Sequence, residues 1–161
     1  MVQRKLSTTR KPAGEVGCTC FKLRRLTRRV TAVYDRALSG AGMRVTQYSL
    51  LAHVRGLRGV AMSELAEMLD MDRTTLTRNL RPLIDAGWIE VRPSQEDTRV
   101  RLVRITASGE TRWQAARVCW RQAQREVNGT IGSAGVAELH RMLDNCVPLF
   151  RVASGAQGGS E

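Results

Sequence analysis

The sequence predicts a mainly α-helical chain with one small β-hairpin, and two observations predict this fold class. Apolar residues recur at the spacing of an amphipathic helix in six segments of the chain. Between the fourth and fifth of these segments, two short stretches instead alternate apolar and polar residues around a turn-rich loop, as paired strands do. The 161 residues are enough for one domain with its own core. We therefore expect four helices, a hairpin and two further helices.

The first two predicted helices are separated by glycines. Residues 18–38 carry apolar side chains at helical spacing, and the Gly40 and Gly42 that follow supply the backbone freedom of a helix stop. Thr46 is the expected N-cap of the second helix, which closes near Gly56.

The third and fourth predicted helices are short and follow each other closely. The third begins with Ser63 as its N-cap and ends near Leu69. The fourth covers residues 73–86 and stops at Gly87, and Pro82 is expected to bend or loosen it.

The hairpin and the last two helices follow. Residues 88–92 and 100–105 are the two strands of the hairpin. Thr106 caps a fifth helix that is expected to break at residues 128–129, an Asn-Gly pair, and a sixth helix covers residues 133–150. The two ends of the chain lack periodicity, so we expect disordered tails at residues 1–17, which are basic, and 153–161.

Charge and composition limit the classes of function. The net charge of +11 points to a polyanionic partner, but lysines and arginines outnumber acids 9 to 1 in residues 1–29, so charge alone identifies no DNA-reading element. No apolar run approaches the roughly 20 residues needed to cross a bilayer, and no secretory signal is recognisable. We therefore expect a cytoplasmic protein without a membrane partner, whose four cysteines form no permanent disulfide framework.

The order of the elements predicts how the chain meets DNA. Two short helices joined by a tight turn and followed by an arginine-rich hairpin are typical of a winged helix-turn-helix, in which the second helix enters the major groove. Arginine can bond a guanine edge, and threonine methyl groups can meet thymine methyl groups. The candidates for DNA contact near the start of the fourth helix are Arg73, Thr74, Thr75, Thr77 and Arg78.

The motifs of this region resemble those of the MarR family of transcription regulators. Residues 97–109 read DTRVRLVRITASG, which looks like the wing signature of that family: Asp-x-Arg, a short strand, and an apolar-Thr-x-x-Gly turn into the next helix. Residues 63–66 and 86–89 are also similar to the family pattern. The resemblance extends over residues 18–150, and the combination of motifs is more specific than any single one.

The resemblance implies roles for wing residues and an assembly. It implies that Arg99 at the wing tip enters the minor groove and that Asp97 positions the wing by pairing with an arginine; Arg101 is a further DNA-binding candidate. A narrow minor groove attracts arginine because it concentrates negative potential. The resemblance also implies a homodimer on a pseudo-palindromic operator, expected to be a repressor. Residues 18–45 and 106–152 would then be dimerisation helices around a DNA-binding lobe of residues 46–105.

Regulators that this chain resembles respond to a small phenolic or lipophilic ligand or to cysteine oxidation. Cys18 and Cys20 stand at the start of a helix rich in arginine, where positive charge and helix amides favour the thiolate form of a cysteine. Such a thiolate can be oxidised to sulfenic acid and resolved by its neighbour or by a thiol of the other subunit. The alternative is two incidental thiols. Cys119 and Cys146 fall in apolar helix patterns and are expected to be buried.

A ligand pocket, as the resemblance implies it, would lie between the DNA-binding lobe and the dimerisation helices. Residues that combine aromatic and polar character are its candidates: Tyr48, His53, Trp113, Arg117 and Trp120. Ordinary core or dimer packing is the competing interpretation of this set.

Other classes of protein find less support in the sequence. The chain lacks a P-loop, a dinucleotide-binding glycine motif, a His-Glu-x-x-His motif and a serine elbow, so we expect neither an enzyme nor a cofactor. A lone Cys-x-Cys is a weak metal signal, and we assign no metal site. The stronger rival is an architectural protein that coats DNA without sequence preference.

Overall fold

The computed structural model describes residues 17–155, with side chains as far as Phe150. The elements in chain order are α1 (Thr19–Leu38), a short 3₁₀ turn (Ser39–Ala41), α2 (Val45–Leu57), β1 (Val60–Ala61), α3 (Met62–Met68), α4 (Arg73–Asp85), β2 (Ile89–Pro93), β3 (Arg101–Ile105), α5 (Ala107–Ile131) and α6 (Ser133–Gly155). The predicted mainly α-helical fold with a small hairpin is confirmed, and the order of its six helices is as expected.

The sheet has one more strand than the sequence predicted. Its order is β1-β3-β2, and both pairings are antiparallel. Val60 and Ala61 pair with Val103 and Leu102, so the two-residue strand β1 lies against β3 immediately before α3 begins. A pair of residues is too short to show any alternation in sequence, which is why β1 was missed.

A single core joins the helices of the lobe to α1 and α5. The side chains with essentially no exposure come from α1, α2, α3, α4 and β3: Leu38, Leu51, Val54, Leu65, Leu76, Leu80, Leu83 and Val103. Ala116 of α5 is also fully buried in this core. The interior therefore connects the short helices of the lobe directly to the long helices, and the lobe cannot move against α1 and α5 without disturbing shared packing.

Both predicted N-caps of the early helices are wrong. The N-cap of α2 is Arg44, two residues before Thr46, and the helix begins at Val45 because Asp35 of α1 accepts the Val45 amide at 2.8 Å and Gln47 accepts the Arg44 amide at 2.9 Å. Ser63 lies inside α3, whose N-cap is Ala61. β1 pairs with β3 immediately before α3, and this pairing determines the residue at which α3 begins.

The last two helices are longer than predicted. α5 continues through the Asn-Gly pair at 128–129 and ends at Ile131, and its C-cap Gly132 has a φ of 82°. The Gln124 side chain donates to the Asn128 side-chain oxygen one turn later, at 2.9 Å, and helps the helix through this point. α6 continues past Pro148 to Gly155, so residues 153–155 of the expected C-terminal tail are helical. The remaining tail residues, 1–16 and 156–161, lie outside the described part.

No helix of the described residues is both long enough and apolar enough to cross a membrane.

Candidate functional site

The start of α4 is held by its own N-cap. Asp72 accepts the Thr75 amide and the Thr75 hydroxyl, each at 2.7 Å. These bonds, the hydroxyl bond first, lower the pKa of the Asp72 carboxyl, so the cap stays ionised at neutral pH. A negative N-cap also suits the positive end of the helix dipole. The first turn of α4 is therefore ordered before anything binds to it.

The opposite face of α4 presents polar side chains to solvent. Leu76, Leu80 and Leu83 point into the core, which leaves the outer face exposed. A shallow depression on this face is lined by Arg73, Thr74, Thr77, Arg78, Arg81 and Pro82. Four of the five predicted α4 residues lie in this lining, while Thr75 is half-buried and bonded to Asp72.

Arg81 is the α4 residue that sequence reasoning missed. It follows Arg78 by three positions and Thr77 by four, and that spacing places it on the same helix face. Asp85 pairs with its guanidinium at 2.8 Å. Arg81 lies in the third turn of α4, beyond the candidates named above, and helical spacing is the sequence signal that identifies it. Pro82 beside it does not interrupt α4, which is continuous from Arg73 to Asp85.

The tip of the hairpin, which we call the wing (residues 93–101), is organised by Asp97. Its carboxylate accepts the Arg99 amide at 2.9 Å and the Arg99 guanidinium at 3.1 and 3.3 Å. The Arg99 guanidinium, and then its amide, lower the pKa of the Asp97 carboxyl, so Asp97 is ionised at neutral pH. The side chain of Arg99 is 91% exposed. Arg101 begins β3 opposite Pro93 and is also exposed.

The end of the hairpin opposite the wing is joined to α5 by the Thr-x-x-Gly segment, residues 106–109. The Thr106 hydroxyl donates to the Gly87 carbonyl at 2.7 Å and accepts the Gly109 amide at 3.0 Å. Gly109 is buried so tightly that a Cβ at this position would meet the Trp88 carbonyl oxygen at 2.0 Å. Both residues therefore have structural roles. Thr106 caps α5, and Gly109 lets α5 approach the backbone of Trp88, the residue just before β2.

The cysteines occupy three different environments. The sulfur of Cys18 is the N-cap acceptor of α1, 3.5 Å from the Phe21 amide, and Cys20 is exposed in the first turn. Cys119 is half-buried against the core. Cys146 is exposed on α6, so the prediction that it is buried does not hold within one chain.

Four of the five predicted ligand residues come together between α2 and α5. Tyr48 stacks between Trp113, at 6.2 Å between ring centroids, and Trp120, at 5.6 Å. The Arg117 guanidinium lies 5.3 Å from the centre of the Trp113 ring. Burial raises the pKa of Tyr48, and nearby Arg117, Arg121 and Arg55 partly oppose that rise. We call Tyr48, Trp113 and Trp120 the aromatic stack.

Arg55 is a member of this cluster that the sequence did not reveal. Its guanidinium lies 4.1 Å from the centre of the Trp113 ring and pairs with Glu110 at 2.8 Å. Hydrogen bonds from Gln114 and from Arg55 lower the pKa of the Glu110 carboxyl. Among the residues that the structure describes, the buried indole nitrogen of Trp113 finds no hydrogen-bond partner. His53, the fifth predicted residue, is exposed on α2 and bonds the Ser49 carbonyl at 2.7 Å.

Comparisons with known proteins agree with this geometry. Residues 41–100 match the family model described as MarR family. The multiple antibiotic resistance protein MarR of Salmonella typhimurium is 31% identical over 118 residues, which are 69% of this chain and 78% of that protein.

Among solved structures, the Mycobacterium tuberculosis transcriptional regulator MosR in complex with DNA is 36% identical, with a TM-score of 0.66 over 81% of this chain and 98% of that one. Bordetella bronchiseptica BpsR, described with regulation of its DNA binding by 6-hydroxynicotinic acid, shares the fold at 17% identity, with a TM-score of 0.73 over 84% and 96% of the two chains. From these matches and the winged-helix geometry, we conclude that the chain belongs to the MarR family of DNA-binding transcription regulators.

Proposed function

We propose that this protein is a homodimeric repressor that binds a pseudo-palindromic DNA operator through α4 and the wing. The observation that carries the proposal is the exposed face of α4, with three arginines and two threonines, beside a wing whose Arg99 projects into solvent. The major groove of DNA is wide enough to admit one α-helix, and the negative potential of the adjacent minor groove attracts an arginine carried on a loop. The DNA complex of MosR, at 36% identity, supports the same partner for this chain.

The long helices support the homodimer. α6 exposes Met142, Leu143 and Val147, and the start of α1 exposes Phe21 and Leu23. Large exposed apolar areas of this kind mark protein interfaces. A second copy covering them would place two α4 helices around one two-fold axis, and such an axis requires a pseudo-palindromic site.

The experiment that tests this function is selection of binding sites from random duplexes, followed by footprinting at two salt concentrations. We expect one pseudo-palindromic sequence and an affinity at least about 1,000-fold above that for unrelated DNA. We call the exposed face of α4 that carries Arg73, Thr74, Thr77, Arg78 and Arg81 the reading face. The R78A variant should lose most of the preference for the selected sequence, because it removes an arginine from the centre of this face. Similar affinity for all duplexes, with a steep salt dependence, would favour the architectural protein instead.

Release from DNA is proposed to occur through oxidation of Cys18 and Cys20. The thiolate sulfur of one cysteine attacks a peroxide oxygen, the O–O bond breaks and hydroxide leaves, which gives a sulfenic acid. The neighbouring thiol then attacks that sulfur, water leaves and a disulfide forms. This bond draws the Cys18 sulfur away from the Phe21 amide that it caps. Because α1 packs along α5, loss of the first turn would change the arrangement of the long helices.

Serine variants test the thiol proposal. We expect C18S to bind the operator like the reduced wild type, since serine is itself a good N-cap, and C20S to do so because Cys20 is exposed. Both variants should remain bound in peroxide that releases the wild type. C146S is the matched control, because Cys146 is also exposed but lies on α6, and it should be released like the wild type. Gel-shift titrations with and without peroxide give the answer. Release of C18S by peroxide would contradict the proposal.

The aromatic stack is the second candidate sensor. The buried indole nitrogen of Trp113 has no hydrogen-bond partner within the described part of the chain, and the Arg55 and Arg117 guanidinium groups lie against the same ring. An anionic aromatic ligand could accept the indole hydrogen bond and pair with an arginine. The regulation of BpsR by 6-hydroxynicotinic acid is consistent with a ligand of that class. If peroxide does not release the wild type while aromatic carboxylates do, this cluster is the sensor.

A further inference from the structure

The reading face of α4 has a threonine near its middle whose hydroxyl is already used. Thr77 lies one turn after Arg73 and one turn before Arg81, beside Arg78, in the exposed depression of α4. Its Oγ1 donates to the Arg73 carbonyl oxygen at 2.8 Å. This is a bond to the carbonyl four residues earlier, so the oxygen is directed back along the helix. The outward group of Thr77 is therefore its methyl.

The other threonines of α4 differ from Thr77. The Thr75 hydroxyl is also engaged, with Asp72 at 2.7 Å, but Thr75 is half-buried and lies outside the depression. Within residues 17–155, the hydroxyl of Thr74 makes no hydrogen bond, so it is free to bind a phosphate or a polar base edge. Thr77 is the threonine that combines exposure on the reading face with an occupied hydroxyl.

An occupied hydroxyl changes what a side chain can recognise. The Thr77 hydroxyl has one donor hydrogen, so donating to a base edge would require it to give up its bond to the Arg73 carbonyl, and the exchange would bring little net gain. Its oxygen keeps acceptor capacity, but that oxygen is directed back along the helix, and the outward group is the methyl. A methyl group needs no such exchange. In the major groove the C5 methyl of thymine is the apolar group that distinguishes one base pair from the others.

We propose that Thr77 reads a thymine methyl group in each half of the operator and so acts as a specificity-determining residue. The proposal rests on the function proposed above, because it requires α4 to lie in the major groove. In this arrangement the arginines around Thr77 supply attraction to phosphate and guanine, while Thr77 contributes an apolar contact at one base pair.

The test removes the methyl from either side of the contact. Each thymine of the selected operator is replaced in turn, in both half-sites, by deoxyuridine, which differs from thymine only by lacking the C5 methyl. Affinities are measured for the wild type, T77S and T77V. T77S keeps the hydroxyl and loses the methyl, whereas T77V keeps a methyl and loses the hydroxyl. The control is T111S, since the Thr111 hydroxyl makes the same type of bond, to the Ala107 carbonyl, on α5.

We expect one thymine position per half-site at which deoxyuridine weakens wild-type binding by about fourfold for each half-site, the factor that corresponds to burying one methyl group. T77S should bind the thymine and deoxyuridine operators equally at that position, T77V should keep the preference for thymine, and T111S should behave like the wild type.

Three results would overturn the proposal: wild-type affinity that is unchanged at every replaced position, a preference for thymine that survives in T77S, or a selected operator without thymine in its half-sites. Each of these leaves specific DNA binding intact. Failure of the proposed function would instead show as the absence of any selected sequence, so the two failures are distinguishable.

Discussion

The G109A variant is expected to lose about 3 kcal/mol of unfolding free energy, the upper end of the usual cost of overpacking. The added Cβ would lie 2.0 Å from the Trp88 carbonyl oxygen and 2.9 Å from a side-chain carbon of Ile105. The nearest atom belongs to the backbone, so no side-chain rotation can relieve the clash. α5 would have to move away from the backbone at Gly87 and Trp88, which would weaken the Thr106 bonds that join the hairpin to α5.

The same helix offers a matched control. Gly129 also lies in α5, but a Cβ there meets nothing within 4 Å. G129A should therefore raise the unfolding free energy by about 0.5–1 kcal/mol, because alanine is the better helix former. Urea denaturation at one protein concentration compares the two variants with the wild type. Equal stability of G109A and G129A would show that α5 does not approach the Trp88 backbone as closely as described.

The R99A variant is expected to weaken operator binding by about 1–3 kcal/mol, which is roughly 5- to 150-fold. Arg99 is almost fully exposed, yet Asp97 holds its guanidinium, so little side-chain freedom remains to be lost when DNA binds. The loss should be largest where the DNA under the wing is A/T-rich, since a narrow minor groove attracts arginine most strongly. Fluorescence anisotropy at fixed salt measures both effects.

Removing any arginine reduces the attraction to DNA, so a charge-matched control is needed. Arg125 on α5 is exposed, and R125A lowers the net charge by the same amount as R99A. We expect R125A to bind the operator within about twofold of the wild type, because only charges near the phosphates contribute strongly at physiological salt. Equal losses for the two variants would mean that Arg99 acts through net charge and not through insertion.

Some element boundaries in this chain depend on nearby residues and others on residues far away in sequence. α1 and α4 were predicted almost to the residue, since their apolar spacing and their stop signals lie within the segments themselves. The start of α2 was misplaced because Asp35, ten residues earlier and on another helix, accepts its first amide. The start of α3 was misplaced because it depends on a strand of two residues whose partner lies some forty positions later. The Asn-Gly pair of α5 reads as a break but is helical in the structure, where Gln124 bonds to Asn128.

The candidate sites likewise combine residues that short motifs identify with contacts that only packing between helices creates. The α4 and wing candidates could be named from sequence because they belong to contiguous motifs, and Arg81 lies one turn beyond the last α4 candidate, in the same depression. Tyr48, Trp113 and Trp120 were named as a set, but their stacking required α2 and α5 to pack together. Arg55 and Glu110, which border that stack, are 55 positions apart and carry no sequence signal that links them.

By itself, then, the sequence determined that residues 17–155 contain six helices and a hairpin, that α4 and the wing carry residues suited to DNA, and which cysteines begin α1. These features follow from periodicity and short motifs, which act between residues close along the chain. Only the tertiary structure decided that Gly109 has no room for a side chain and that Arg55 lies on Trp113. Such features depend on the atoms that packing brings together, and close packing makes contacts whose partners the order of residues does not specify.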